Sequence, residues 1–482
     1  MVYRVCKFTA ETSRYSETQN PESSMSLVQD FLLKVGTILK KTLMTRFLGV
    51  NSLTVVFLWL ILILTIPQNV YAIGSGAFSI GIGDSESVGK GNAFTGEADN
   101  PSAVYFNPAG LTQLKGQQAS VGFSVIDIRV THEQPSGNKS QLQRHPVLVP
   151  HLYYTNNFGM DKVTIGLGGN GTWGSGFEWN PDDTARRYNV TQSELYPLDN
   201  YISMGYAVND QLSIGIGTNR SQINLDFEKK IYQSTGLDDA DFQLKGDDSS
   251  WGYNLSALYK VNEKHQFGLK YQSAVELDFE GNVTINGLNG TGSNFAGIFG
   301  GSSYSTRAKT QFTEPQSVTL GYSYNPDGKW RFNADIEWMD WSSTDQLKVE
   351  YPDETDATRL GVLALGNESL DWKAMFSYAA GVEYQANDHL RLRGGYFYRP
   401  TPIPDVNFDA WLPDSDSHGV TVGFGYDITK DLILDMSYAA RFMEKRKVNN
   451  TVGNAVGGDV DGTYTEFMNI VAATMTYKFD NP

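Results

Sequence analysis

Along most of the chain, apolar and polar residues take turns one by one. In "DLILDMSYAARF", Leu432, Leu434, Met436, Tyr438, Ala440 and Phe442 fall on one side, opposed by Ile433, Asp435, Ser437, Ala439 and Arg441. In "HLRLRGGYFY", Leu390, Leu392, Tyr396 and Tyr398 oppose Arg391, Arg393 and Phe397; in "SVTLGYSY", Val318, Leu320, Tyr322 and Tyr324 oppose Thr319, Gly321 and Ser323. Successive side chains of a strand point to opposite faces, so each segment predicts a strand with one apolar and one polar side. About 14 such segments lie near residues 117–130, 147–157, 161–171, 199–209, 211–227, 250–261, 264–283, 307–325, 329–350, 375–386, 389–400, 417–428, 431–444 and 465–479.

A soluble sandwich also alternates, but here the links between segments are sorted by length. Those after even-numbered segments are tight: "NNFGMD", "AVND", "VNEKH", "NPDGK", "QANDH" and "DITKD". Those after odd-numbered segments are long, such as 172–199, 228–249 and 352–374. A Greek-key sandwich has no reason to sort its loops this way, whereas an up-and-down membrane barrel does. The polar faces carry Asp335, Glu337, Arg391, Arg393, Asp435 and Arg441, and the apolar faces end in aromatics such as Tyr322, Tyr324, Tyr396 and Tyr398. The last segment, "NIVAATMTYKF", alternates up to Phe479, three residues from the C-terminus, as bacterial outer-membrane proteins do for their assembly machinery. The prediction is an all-β fold, a transmembrane antiparallel β-barrel of about 14 strands over residues 117–482.

The chain's start breaks the alternation. Leu53–Ile66 is an apolar run of 14 residues, preceded by Lys34, Lys40, Lys41 and Arg46 and followed by Val70-Tyr71-Ala72. It is shorter than a membrane-spanning helix and has the basic approach and small-residue exit of a secretory signal. Residues 1–72 are therefore read as an N-terminal extension and signal peptide, with Met1, Met25 and Met44 as candidate starts and cleavage after Ala72. The single cysteine, Cys6, lies before that point, so no disulfide is expected beyond it. Past residue 72 the chain holds 31 Lys and Arg against 50 Asp and Glu, a balance that repels nucleic acid.

Residues 73–116 precede the first clean strand and are rich in Gly and Ser, yet carry Phe78, Ile80, Phe94, Val104, Tyr105, Phe106 and Leu111. A tail in water would not carry that apolar load; a small unit packed in the barrel lumen accounts for it. The stretch "GKGNAFTGEADNPSAVYFNPAGLTQL" resembles the N-terminal hatch of the FadL/TodX family of outer-membrane hydrophobic-compound transporters, including its Asn-Pro-Ala element. "RRYNVTQSELYPLDNYISMGYAVNDQLSIGIG", "WGYNLSALYKVNEKHQFGLKYQSAVELDFEG", "ADIEWMDWSS" and "LRLRGGYFYRPTPIPD" resemble further landmarks of that family in the same order. The resemblance implies a barrel of about 14 strands plugged by residues 73–116. It also implies passive uptake of long-chain fatty acids or aromatic hydrocarbons through a loop groove, a pocket under the hatch and a lateral exit in the wall.

Specific residues follow. Tyr105, Phe106, Asn107, Pro108 and Ala109 are the expected gate, with Asn107-Pro108-Ala109 stopping the hatch and the two aromatics facing the lumen. The third segment holds Gly166, Gly168, Gly169 and Gly171, and glycines inside a strand mark bulges or close approach, which suits a kinked exit. A fatty acid needs a cation for its carboxylate, for which Arg187, Arg391 and Arg393 are candidates. Trp173, Phe177 and Trp179 are candidates for a loop groove or for interfacial aromatics.

Other chemistry finds little support. "GDSESVGKG" mimics a phosphate loop with the wrong spacing, and Gly91 stands where Ser or Thr is required. The six histidines show no metal spacing, so neither metal nor cofactor is expected. An enzyme is not expected. The expected partners are a hydrophobic small molecule, outer-membrane lipid and lipopolysaccharide, and the assembly machinery, with no nucleic acid and a monomeric state. A general diffusion porin and a surface adhesin are the alternatives.

Overall fold

A computed structural model describes residues 82–171, 173–183, 186–289, 296–299, 301–355, 368–452 and 458–479. The apolar run Leu53–Ile66, the junction at Ala72 and the beginning of the expected hatch lie outside the described residues.

The alternating segments become a ring of fourteen antiparallel wall strands. In chain order they are β1 (Gln117–Glu133), β2 (Val147–Asn156), β3 (Val163–Asn170, resumed at Ser175–Glu178), β4 (Gln192–Ala207), β5 (Leu212–Ile231), β6 (Ala240–Lys260) and β7 (His265–Gln272 and Val275–Asn286). They continue as β8 (Ser303–Glu314 and Ser317–Tyr324), β9 (Trp330–Met339), β10 (Met375–Gln385), β11 (Leu390–Arg399), β12 (Ser417–Asp427), β13 (Leu432–Met443) and β14 (Gly462–Lys478). Each pairs with its sequence neighbours, and β14 pairs with β1 from Gln118↔Lys478 to Glu133↔Thr463. That closure removes the sheet edges, as a wall facing lipid requires.

The two faces are inverted relative to a soluble protein. Ile214, Ile216, Leu255, Leu269, Leu320, Val420 and Val422 are exposed on the outside, while Asn219, Asn254, Lys270, Thr319, Thr421 and Asp435 are buried within. Exposed aromatics gather at both ends of the apolar band. Tyr259, Trp330, Phe332 and Tyr426 lie by the short turns, and Trp251, Phe376 and Phe442 lie toward the long links. Trp251 and Tyr259 sit on one face of β6, about 26 Å apart along the strand, a separation that suits a tilted crossing of an outer-membrane core.

The short turns share one construction. Asn209, Asn262, Asp327 and Asn387 each accept two backbone N–H bonds, from Gln211 and Leu212, Lys264 and His265, Lys329 and Trp330, and His389 and Leu390, at 2.8–3.1 Å. Thr429 does the same for Asp431 and Leu432 at 3.2 and 3.1 Å. A side-chain acceptor that satisfies the N–H groups two and three residues on closes a tight reversal alongside the backbone bonds across its mouth, such as Val208 N–H to the Leu212 carbonyl at 2.9 Å.

The long links depart from expectation. β5 runs to Ile231 and β6 begins at Ala240, so most of 228–249 is a paired hairpin standing above the apolar band, and β4 starts at Gln192 rather than near 199. Ile231, Phe242 and Leu244 pack with Val283, Ile285, Phe299 and Ala308 into a separate apolar cluster that holds these extensions together. Interspersed charges such as Lys229, Lys230, Asp241 and Lys245 hid this continued alternation from the sequence reading.

Candidate functional site

Residues 82–116 run along the inner face of the wall as three short pieces. Helix α1 (Ser85–Gly89) is begun by Asp84, whose carboxylate accepts the Ser87 N–H at 2.7 Å while the Ser87 hydroxyl bonds back to the Asp84 carbonyl at 2.9 Å. It packs against β12, β13 and β14. Helix α2 (Ala103–Phe106) and the 3₁₀ turn Pro108–Gln113 pack against β4 to β6 on the other side. Contact is backbone to backbone in places. A Cβ on Gly268 of β7 would lie 2.0 Å from the Thr95 carbonyl oxygen, and Gly91, at φ +65°, faces the Tyr396 backbone in the same way.

Asn107 joins these pieces. Its side-chain oxygen accepts the Ala109 N–H at 3.1 Å and so caps the 3₁₀ turn, with Pro108 at the first position, where no N–H is needed. Its amide donates to the Thr95 carbonyl at 2.9 Å and to Ala257 of β6 at 3.2 Å, and the Ala109 N–H also reaches Ser256 at 3.0 Å. Tyr105 and Phe106, packed edge to face at 4.9 Å, point into a cavity.

Toward the short-turn end, the same segment is held by charge. The fully buried Lys90 ammonium lies 3.0 Å from Glu86 and 2.6 Å from Glu97. Arg331 of β9 pairs with Glu97 and, at 2.6 Å, with Asp99; Arg393 of β11 pairs with Glu86, Glu383 and Asp435 at 3.2, 2.6 and 2.5 Å. Burial disfavours the charged Lys90, but Glu86, Glu97 and Glu383 outweigh it and raise its pKa. Burial likewise acts against Glu86, and Arg393 with Lys90 overcomes it, holding that carboxyl well below the usual range. Asp99 goes the other way: burial and the neighbouring Glu97 push it up to about 6. Glu86, Glu97 and Glu383 converge closely enough to hold a cation, and the Lys90 ammonium already supplies that charge to Glu86 and Glu97.

The cavity beneath Tyr105 and Phe106 measures about 110 Å³. Trp173, Tyr201, Met339 and Phe397 give it apolar surface; Lys270, Arg399, Glu314 and Glu337 give it charge. Of these charged groups the sequence picks out only Glu337, on a polar strand face, although the alternation of "HQFGLKYQ" puts Lys270 on the inward face as well. The arginines proposed for a ligand are elsewhere and engaged: Arg187 with Asp239 at 2.9 Å, Arg391 with Asp427 at 2.6 Å, and Arg393 in the network under α1. Of the aromatics, Trp173 lines the cavity. Phe177 and Trp179 are fully buried in the main apolar cluster, where the Trp179 indole donates to the Ala410 carbonyl at 3.1 Å and Arg186 lies over its ring.

The glycines of β3 divide into two pairs. A Cβ on Gly166 would lie 2.3 Å from Val104, and one on Gly168 would lie 2.5 Å from Tyr153, so these two make room for α2 and for a neighbouring side chain. Gly169 and Gly171 stand where pairing with β2 stops. The β2–β3 ladder runs from Asn156↔Ile165 only to Leu152↔Gly169, while β2 continues its pairing with β1 back to Val147. Beyond Asn170↔Asp199, β3 rejoins β4 at Ser175↔Leu195, with one residue more on its side than on the β4 side, which is a bulge. At the same place Tyr153 donates to the Gly83 carbonyl at 2.9 Å and receives a bond from Asn170 at 2.7 Å; His151 and the Ser85 N–H both contact Thr474, at 2.8 and 2.9 Å.

Residues 71–479 match a family model described as outer membrane protein transport protein (OMPP1/FadL/TodX). The long-chain fatty acid transport protein of Escherichia coli K12 is 24% identical over 417 residues, covering 78% of this chain and 91% of its own. Outer membrane protein P1 of Haemophilus influenzae is 23% identical over 476 residues, covering 84% and 96%. Among solved structures, a Pseudomonas aeruginosa FadL homologue has a TM-score of 0.73 at 17% identity, over 85% of this chain and 100% of that one. The P. putida toluene transporter TodX has a TM-score of 0.62 at 18% identity, with the same coverage.

Proposed function

This chain belongs to the OMPP1/FadL/TodX family of outer-membrane transport proteins, and we propose that it admits hydrophobic molecules, long-chain fatty acids or related hydrocarbons, by diffusion alone. The solute enters from the long-link side and settles in the cavity under Tyr105 and Phe106, with residues 73–116 acting as a hatch. It leaves sideways into the membrane between β2 and β3. Burial of its apolar surface, at roughly 25 cal/mol per Å², draws it out of the polar outer layer, and no coupling to energy or covalent chemistry is involved.

The observation that carries this reading is the end of the β2–β3 ladder at Leu152↔Gly169, beside the bonds that tie Gly83 and Ser85 to the wall. β3–β4 and β6–β7 also break off but resume farther along, whereas β2 and β3 do not pair again among the described residues, so this is where a wall opens at least cost in hydrogen bonds. A porin would keep an aqueous lumen clear, whereas here residues 82–116 are buried across it.

A cross-link tests the exit. A Cβ on Gly171 would lie 3.3 Å from the Val149 side chain, and Cys6 is the chain's only cysteine, so the pair Val149→Cys and Gly171→Cys is free of interference from other thiols beyond residue 72. Oxidation is expected to stop uptake of a labelled fatty acid or hydrocarbon and reduction to restore it. Unchanged uptake by the oxidised protein would reject the lateral route, and a steady large ion current in planar bilayers would favour the porin.

A further inference from the structure

One corner of the outer wall carries a positive charge that its own neighbours leave unbalanced. On β1, Ile126, Ile128 and Val130 are buried within, so Asp127 and Arg129, which alternate with them, face outward. Arg144, from the link after β1, lies over the same carboxylate, its Nε and Nη2 donating to the two Asp127 oxygens at 3.1 and 2.6 Å. Arg129 approaches that carboxylate to 3.6 Å. Both guanidinium groups are more than half exposed, and two cations therefore stand over one carboxylate. The charges beside them face single partners, Lys139 with Glu133 at 3.2 Å and His145 with Glu178 at 2.8 Å.

This excess runs against the rest of the chain, which past residue 72 holds 31 basic and 50 acidic residues. Exposed ion pairs contribute little to stability, so holding the fold does not account for the second arginine. Its position does. Arg129 pairs across the seam with Phe467 of β14, whose ring packs on the exposed Phe442 at 5.0 Å, at the upper rim of the apolar band. Four residues down the strand, Val125 lies between Val471 and Leu148. A pair of cations above an apolar strip matches an anionic head group above an acyl chain.

We propose that Arg129 and Arg144 form a site on the outer wall for lipopolysaccharide, with a lipid A phosphate on the two guanidinium groups and an acyl chain along Val125, Leu148 and Val471. A guanidinium fork presents paired donors that match phosphate oxygens. Arg144 uses Nε and Nη2 on Asp127, which leaves Nη1 for the phosphate. The pair lies at the long-link end of the wall, the side of the outer leaflet, where the phosphorylated lipid is lipopolysaccharide; glycerophospholipid fills the opposite leaflet. The site shares no residue with the cavity under Tyr105 and Phe106 and stands apart from the transport route. Arg220 of β5 gives a contrast at the same rim: it faces outward as a single cation, bonded to Ser249 at 2.8 Å and 5.9 Å from the centre of the Trp251 ring.

The test uses purified full-length protein in detergent, with fluorescent lipid A and the same lipid A stripped of its phosphates as paired probes. Wild type is expected to bind the phosphorylated form about tenfold more tightly, the value of one charge-assisted contact. The double variant Arg129→Gln, Arg144→Gln is expected to lose that preference while keeping its affinity for the stripped form, and Arg220→Gln to retain it. Absence of a preference in wild type overturns the proposal, and that comparison needs no variant to fold. A preference that survives in the double variant, or one lost equally in Arg220→Gln, overturns it as well. Unlabelled phosphatidylglycerol is expected to displace the probe far less well than unlabelled lipid A; equal displacement overturns the assignment to lipopolysaccharide.

Discussion

The N-terminal segment meets the wall in two unlike ways. Toward the short turns, every buried charge is answered: Lys90 by two carboxylates, Arg393 by three, Arg331 by two. Around the cavity, contact is through rings, glycine backbones and the amide of Asn107, and the ammonium of Lys270 rests over the Tyr105 ring, 4.4 Å from its centre. Charges paired in a dry place resist displacement, since separating them leaves each one desolvated and alone. Rings and single hydrogen bonds give way more cheaply. The first pole fastens the segment, and the second is where the proposed route receives its solute.

The sharpest way to break this contrast is at the fastened pole. Lys90→Met removes one of the two cations that answer each of Glu86 and Glu97, leaving them to Arg393 and Arg331 of the wall, at a cost of about 3 kcal/mol. Hydrogen exchange over residues 84–106 should rise steeply while the barrel keeps its heat-modifiable migration on gels. An unchanged exchange pattern would mean that the pairs do not hold the segment. At the other pole, Asn107→Ala removes a cap and two donated bonds, together worth about 2–3 kcal/mol locally. Uptake should fall with barrel assembly intact; loss of assembly would make the motif structural only.

Two single-methyl changes on β3 give a finer comparison. Gly166→Ala drives its Cβ into Val104 and should lower thermal stability through overpacking of about 1–3 kcal/mol, whereas Gly169→Ala meets nothing closer than 3.5 Å and should leave stability unchanged. Any uptake defect in Gly169→Ala then belongs to the exit and not to the packing of α2. The smallest effect is expected from pH. Glu86 and Glu97 have folded pKa values below their free values, so their contribution is complete above about pH 4.3 and is lost as pH falls through the folded values. Asp99, pushed up to about 6, acts oppositely, its ionisation costing stability as pH rises from about 4 to 6. Asp99→Asn should therefore slow exchange in this segment slightly at pH 7 and not at pH 4.

What the sequence disclosed, and what it withheld, follows from how far each property reaches. A period of two is local, so the wall strands, their faces and the Asn, Asp or Thr at each tight turn were readable one segment at a time. Cross-strand partners are not local. Arg187, Arg391 and Arg393 looked available because nothing in one sequence ties them to Asp239, Asp427 or Asp435. The place of Lys270 against Tyr105 is equally hidden, since it needs the registers on both sides of β7 to be known. Within β3 the four glycines look alike, and only the fold shows that Gly166 and Gly168 answer to side chains on other elements.

The ladder between β14 and β1 joins residues more than 300 positions apart, along the whole length of β1. A contact so distant in sequence forms late, because the chain between must already be arranged to bring its ends together. Residues 82–116 lead directly into β1, and their side chains are interleaved with those of strands on opposite sides of the ring. They must therefore be gathered into the unfinished cylinder before its last seam zips. A segment left outside at that moment would have to thread a closed ring to get back in.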